Sequence, residues 1–125
     1  MSFSTKKVGE KQYVLLTFEG DVTIMELEES RTAIKNILLE SVEFKKILVD
    51  MQRASLAVSI IGIHKFVSSH RDELPPGCLI AVIVHPNDWA NAFFAETVAN
   101  NRGVCMKAFR NDLHAYAWLE ISDKE

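Results

Sequence analysis

The chain has 125 residues, 48% of them hydrophobic, which supplies one packed core and leaves no room for two domains with separate cores. With 14 Lys plus Arg against 17 Asp plus Glu, the net charge of −3 excludes the basic surplus of a protein that grips phosphate backbones, so nucleic acid is not an expected partner. The composition also excludes disorder, and one domain over residues 1–125 is expected.

Phe3 to Val8 alternates weakly, and Tyr13-Val-Leu-Leu-Thr-Phe18 is a β-branched and aromatic run, so the two read as a hairpin joined through Gly9. Thr23 followed three residues later by Glu26 is a capping-box signature. The helix it opens carries Ile24, Leu27, Ile34, Ile37 and Leu38 on one face and runs to about Glu40. Arg31 lies near that face and is expected to snorkel or to pair with an acid. Lys46-Ile-Leu-Val-Asp50 is the next strand, and a helix from about Leu56 to Arg71 follows with a stripe of Leu56, Ile60, Ile63 and Val67, ended by Leu74-Pro75-Pro76-Gly77. Leu79 to Val84 is apolar at every position, the pattern of a strand buried on both faces. His85-Pro-Asn-Asp88 opens a helix that runs to about Asn101. Gly103 to Phe109 is the last strand, and Asn111-Asp112 caps a short final helix carrying Ala115, Trp118 and Leu119 on one face. Strands alternating with helices give an α/β fold: a mostly parallel sheet of about five strands with an antiparallel N-terminal edge hairpin and about four helices.

No apolar h-region follows the N-terminal charges, and the longest apolar run, Cys78 to Val84, falls far short of the roughly 20 residues a membrane-spanning helix needs. The expectation is a soluble cytoplasmic protein. Cys78 and Cys105 sit in or beside apolar runs and read as buried thiols. The glycines are scattered, and neither phosphate-binding fingerprint occurs. Ser55, Ser59, His85 and Asp50 all fall at the carboxyl edge of the sheet, but no strained nucleophile turn exposes either serine. His64 and His70 are six apart and point to different sides, which leaves no metal-ligand spacing. No enzyme activity, metal or cofactor is expected.

The helix from Asp88 to Asn101 carries the most information. At about 100° per residue its apolar arc spans about 180°, wider than a surface helix needs to seat on a sheet. With Ala90, Phe94 and Val98 facing the sheet, Trp89 and Phe93 lean over one flank. The preceding helix shows a smaller version, with Phe66 beside its stripe. Such surplus aromatic surface can close over itself, over an apolar ligand, or onto a membrane or partner.

Phe18-Glu-Gly20 before a capped helix, Lys46-Ile-Leu-Val-Asp50 before a serine-containing helix start, a fully apolar third strand and the closing Phe109…Asp112…Ala115-x-x-Trp118-Leu119 together resemble the SpoIIAA-like branch of the STAS superfamily. That branch is related in fold to lipid-carrying CRAL-TRIO domains, and the resemblance runs over nearly the whole chain. It implies two functions. One is a non-enzymatic module holding an apolar ligand, a lipid or fatty acid, under mobile helices, with transient membrane contact. Its ligand-binding residues are Ile60, Ile63, Phe66, Val67, Trp89, Phe93 and Phe94. The alternative is a regulatory domain that switches protein partners by serine phosphorylation, or that docks a partner or a second copy through the same aromatic flank. Laying Leu48-Val49-Asp50 on the family's strand end puts Ser59 at the phosphorylated position. Val58 stands there in place of the family's aspartate, and Ile60-Ile61 in place of the residues that follow the serine.

Overall fold

The computed structural model describes residues 3–121; residues 1–2 and 122–125 lie outside it. Its elements are β1 (Phe3–Val8), β2 (Tyr13–Val22), α1 (Ile24–Glu40), β3 (Lys46–Leu56), α2 (Ile60–Ser68), the single turn α3 (His70–Glu73), β4 (Leu79–Val84), α4 (Trp89–Asn101), β5 (Cys105–Phe109) and α5 (Asp112–Leu119), with a 3-10 turn over Pro86–Asp88 before α4. One sheet runs in the order β1-β2-β3-β4-β5. β1 and β2 are antiparallel, and the remaining neighbours are parallel. This is the expected α/β architecture with its edge hairpin.

Because sequential parallel strands are joined by right-handed crossovers, α1, α2 and α4 all fall on one face. Val14, Leu16, Phe18, Ile47, Met51, Ile80, Val82, Val84 and Met106 face them and form the larger core. On the other face Tyr13, Leu48, Ala81, Ile83 and Phe109 pack against Ala115, Tyr116 and Leu119 of α5. β4 therefore lies between two helical layers, which accounts for its unbroken apolar run.

Both long strands outrun the sequence expectation. β2 reaches Val22 and β3 reaches Leu56, where the two still pair, and Ala57 N donates to Val22 O at 2.9 Å. Leu56 thus belongs to a strand and not to the helical stripe. The register shifts after Thr17, and in this irregular stretch the Asp50 carboxylate accepts the Gln52 N–H at 3.0 Å. The helix expected up to Arg71 is interrupted at Ser69. There the Phe66 carbonyl accepts from Ser69 Oγ and from Arg31 Nη1, both at 2.8 Å, in competition with the helical ladder.

β5 is an edge strand, and α4 closes its open side. Asn100 Nδ2 donates to Met106 O at 3.2 Å and Asn100 Oδ1 accepts from Met106 N at 3.4 Å, while Glu96 Oε1 accepts from Ala108 N at 2.7 Å. Side chains occupy the backbone groups that another strand would use. Cys78 is buried as expected, but Cys105 is exposed, since it begins this edge strand beyond the cover of α5.

Candidate functional site

Strands β2 and β3 end on the same rung, Val22 opposite Leu56, so the helices that follow them start at neighbouring points of the sheet's carboxyl edge. α1 starts with the capping box read from the sequence: Thr23 Oγ1 accepts from Glu26 N at 3.3 Å, and the Glu26 carboxylate accepts from Thr23 N at 3.1 Å. α2 starts with Ser59, whose Oγ accepts the Gly62 N–H at 3.0 Å. Gly62 is held to glycine by packing, because a Cβ there would lie 2.9 Å from Val58 Cγ1 and 3.3 Å from Ser59 Oγ. Removing the cap by Ser59→Ala is expected to cost about 1 kcal/mol of stability, measurable by urea unfolding.

Directly after these two caps the chain exposes apolar side chains. Ile24 is 37% exposed, Met25 66%, Ile60 50% and Ile61 69%. Lone exposed hydrophobics need no explanation, but two pairs on adjacent helix starts around an exposed serine form a surface that invites cover.

The flanks of α4 sort the remaining aromatic residues. Its buried side is Ala92, Ala95, Val98 and Ala99, so the helix is rotated from the orientation expected of it, and Ala90 is exposed. Small residues let the helix sit close to the sheet, and the large rings go to its sides. Trp89 and Phe93 stack on each other at 6.3 Å between ring centres, and the Arg110 guanidinium lies 4.4 Å over Trp89. Arg110 directly follows β5, so Trp89 lies near the end of that strand, and Phe93 remains 52% exposed. Phe94 turns the other way and meets His64 of α2 at 6.4 Å.

Between the sheet and these helices lies an apolar cavity of about 110 Å³. Of the seven residues expected to bind a ligand, Ile63, Phe66 and Val67 border it, whereas Ile60, Trp89, Phe93 and Phe94 do not. The structure does not gather the seven into one pocket. The cavity's polar neighbours are Ser30, Arg31, His70 and Asn91, none of which the sequence placed at a ligand site. Arg31 neither snorkels freely nor forms an ion pair among the described residues. Its Nη1 donates to Phe66 O at 2.8 Å, to Ser69 Oγ at 2.6 Å and approaches His70 Nδ1 at 3.2 Å, and its guanidinium lies 4.4 Å over the Phe66 ring. His70 meets the same ring edge-on at 4.8 Å. Burial, reinforced by the adjacent guanidinium, pushes the His70 imidazole down to about 4, so it is neutral near pH 7. Burial likewise lowers Arg31, against the raising influence of Glu73 and Glu28. No obvious residue pattern foretells this cluster, because Arg31 and His70 lie 39 apart in the chain.

The serine, histidine and aspartate at the carboxyl edge do not form a catalytic group. Ser59 caps α2, His85 Nδ1 accepts from Asn87 N at 3.1 Å, and Asp50 accepts from Gln52. Among the described residues no three His, Cys, Asp or Glu side chains are placed to hold a metal ion, and no helix is long and apolar enough to cross a membrane.

No protein-family model matches the chain, and no curated protein sequence matches it. Solved structures do. The anti-sigma factor antagonist SpoIIAA in its unphosphorylated form is similar at a TM-score of 0.58 and 15% identity, over 94% of this chain and 97% of that one. An anti-sigma factor antagonist from Mycobacterium paratuberculosis is similar at a TM-score of 0.65 and 10% identity, over 95% of each chain. An uncharacterized DUF3478 protein with a SpoIIAA-like fold, from Shewanella loihica PV-4, gives a TM-score of 0.52 and 17% identity, over 94% of this chain and 91% of that one. The chain has the SpoIIAA-like fold that its residues resemble.

Proposed function

We propose that this chain is a non-enzymatic regulatory domain, cytoplasmic and single over residues 1–125, that docks a protein of the anti-sigma-factor kind. Docking uses the edge formed by Ile24, Met25, Ile60 and Ile61, and Ser59 between them is the phosphorylation candidate. The observation that carries this reading is the pairing of exposed apolar residues on two adjacent helix starts, with an exposed serine at one of them. Two of the structural neighbours are anti-sigma factor antagonists, and SpoIIAA has been seen in a phosphorylated form, which supports the reading by analogy. A phosphate on Ser59 would sit favourably at the positive end of α2. It would also place about two negative charges beside Ile60 and Ile61, which disfavours an apolar partner surface.

The test is a calorimetric titration of the full chain with an anti-sigma factor from the same cell. Met25→Asp with Ile61→Asp is expected to weaken binding about 100-fold or more, since both are exposed in the free protein and central to the docking edge. Ser59→Asp is expected to weaken it less, and Ser59→Ala to leave it within a few-fold. A folded double variant that binds as the wild type does would overturn the reading. Sedimentation over a range of concentration separates a heterologous partner from a second copy of the chain.

A second reading, a module for an apolar ligand, is favoured by the cavity. At about 110 Å³ it is smaller than the roughly 150 Å³ cavity that admits benzene in a well-studied protein. A lipid tail would require α2 and α4 to part.

A further inference from the structure

The cavity walls are almost entirely hydrocarbon: Leu16, Ile47, Met51 and Val82 from the sheet, Ile63 and Val67 from α2. One permanent cation borders this space. Arg31 has withdrawn partly from water, and every hydrogen bond it makes among the described residues leaves from Nη1. Its Nη2 and Nε donate to no described residue, and its partners, a carbonyl, a hydroxyl and a neutral imidazole, carry no negative charge. A guanidinium presents five donors in a planar fork suited to a carboxylate. Glu73 and Glu28 act on this partly desolvated cation through space only, so no carboxylate among the described residues occupies its remaining donors. Asn91 of α4 also borders the cavity.

We propose that this cavity binds a short-chain monocarboxylate of about four to six non-hydrogen atoms, its carboxylate on the free donors of Arg31 and its alkyl tail among Met51, Ile63 and Val67. The volume sets the upper limit on the tail, and the single cation sets the charge of the head. This inference rests on the second reading above and gives that ligand a chemical class. It is independent of docking at the Ile24–Ile61 edge.

The test is calorimetric titration of the full chain with sodium butanoate and, separately, with 1-butanol. Butanoate is expected to bind once per chain and about tenfold or more tighter than the alcohol, the gain of a charge-assisted fork. Arg31→Gln is expected to erase that preference while leaving butanol binding in place. Ala95→Leu, which adds a branched side chain at the cavity wall, is expected to abolish both. Equal affinities for the two probes would overturn the carboxylate assignment and leave an apolar cavity standing. Failure of both probes, or butanoate binding that survives in folded Ala95→Leu, would overturn the cavity as a site altogether. Should Arg31→Gln not fold, the acid-to-alcohol ratio in the wild type and the Ala95→Leu variant decide the matter.

Discussion

Acidification from pH 6.5 to pH 4 is expected to remove roughly 3 kcal/mol of folding stability through His70 alone. The imidazole is held at about 4 in the folded chain against an ordinary 6.5, and each unit corresponds to about 1.4 kcal/mol. The sign follows from proton binding. Between these two values the unfolded chain holds a proton on His70 and the folded chain does not, so stability falls as the pH is lowered through that window. Above pH 6.5 both states are neutral at this residue and the slope vanishes. Burial of the ring is the main cause of the direction, and the Arg31 guanidinium facing Nδ1 adds to it, while Glu73 is shared with Lys35 at 3.5 Å. Charging the ring would turn its contact with Arg31 into a repulsion between two cations. Urea unfolding at pH 7, 6, 5 and 4 measures the slope. His70→Asn, which keeps a short acceptor and cannot titrate, is expected to flatten it.

Leu119→Ala is expected to cost about 3 kcal/mol, within the 2–5 kcal/mol typical of a buried leucine. α5 is the only helix on its face of the sheet among the described residues, so little surrounds Leu119 that could move in to fill the gap. The side chain is fully buried with Tyr116, Ile83 and Leu48 in the smaller of the two cores. The helix is held at both ends by other means: Asn111 Oδ1 accepts from His114 N at 3.0 Å, and Ile121 N donates to Tyr116 O at 3.0 Å past the left-handed Glu120. The loss is therefore expected to come from packing, with the helix still formed. Leu113→Ala, on the exposed side of the same helix, is the control and is expected to change stability by less than about 0.5 kcal/mol in the same urea measurement.

The parts of the molecule that were legible in the sequence are those written in local chemistry. The Thr23–Glu26 capping box is read from two residues, and the double burial of β4 from its unbroken apolar run. The alternation of strands and helices then leaves one simple parallel topology. What was hidden depends on contacts distant in the chain. A stripe that included Leu56 is as compatible with helix as with strand, and only the pairing with Val22 makes it strand. The wide arc of α4 showed that some rings had to lie outside the helix–sheet contact. It did not show that the small Ala92, Ala95 and Ala99 would face inward and turn Phe94 and Trp89 to opposite flanks. Ser59 was legible as a helix-start residue, and the exposure of Ile60 and Ile61 beside Ile24 and Met25 was not. That arrangement depends on two strands ending on the same rung.

Amide chemical-shift mapping of the isotopically labelled chain, titrated with an anti-sigma factor from the same cell, tests the docking edge most directly. The account predicts that the largest changes fall at Ile24, Met25 and Ser59 to Ile61, with α5 and its face of the sheet unmoved. Changes centred instead on Leu113 or on the Trp89–Phe93 stack, or no changes at all, would contradict it.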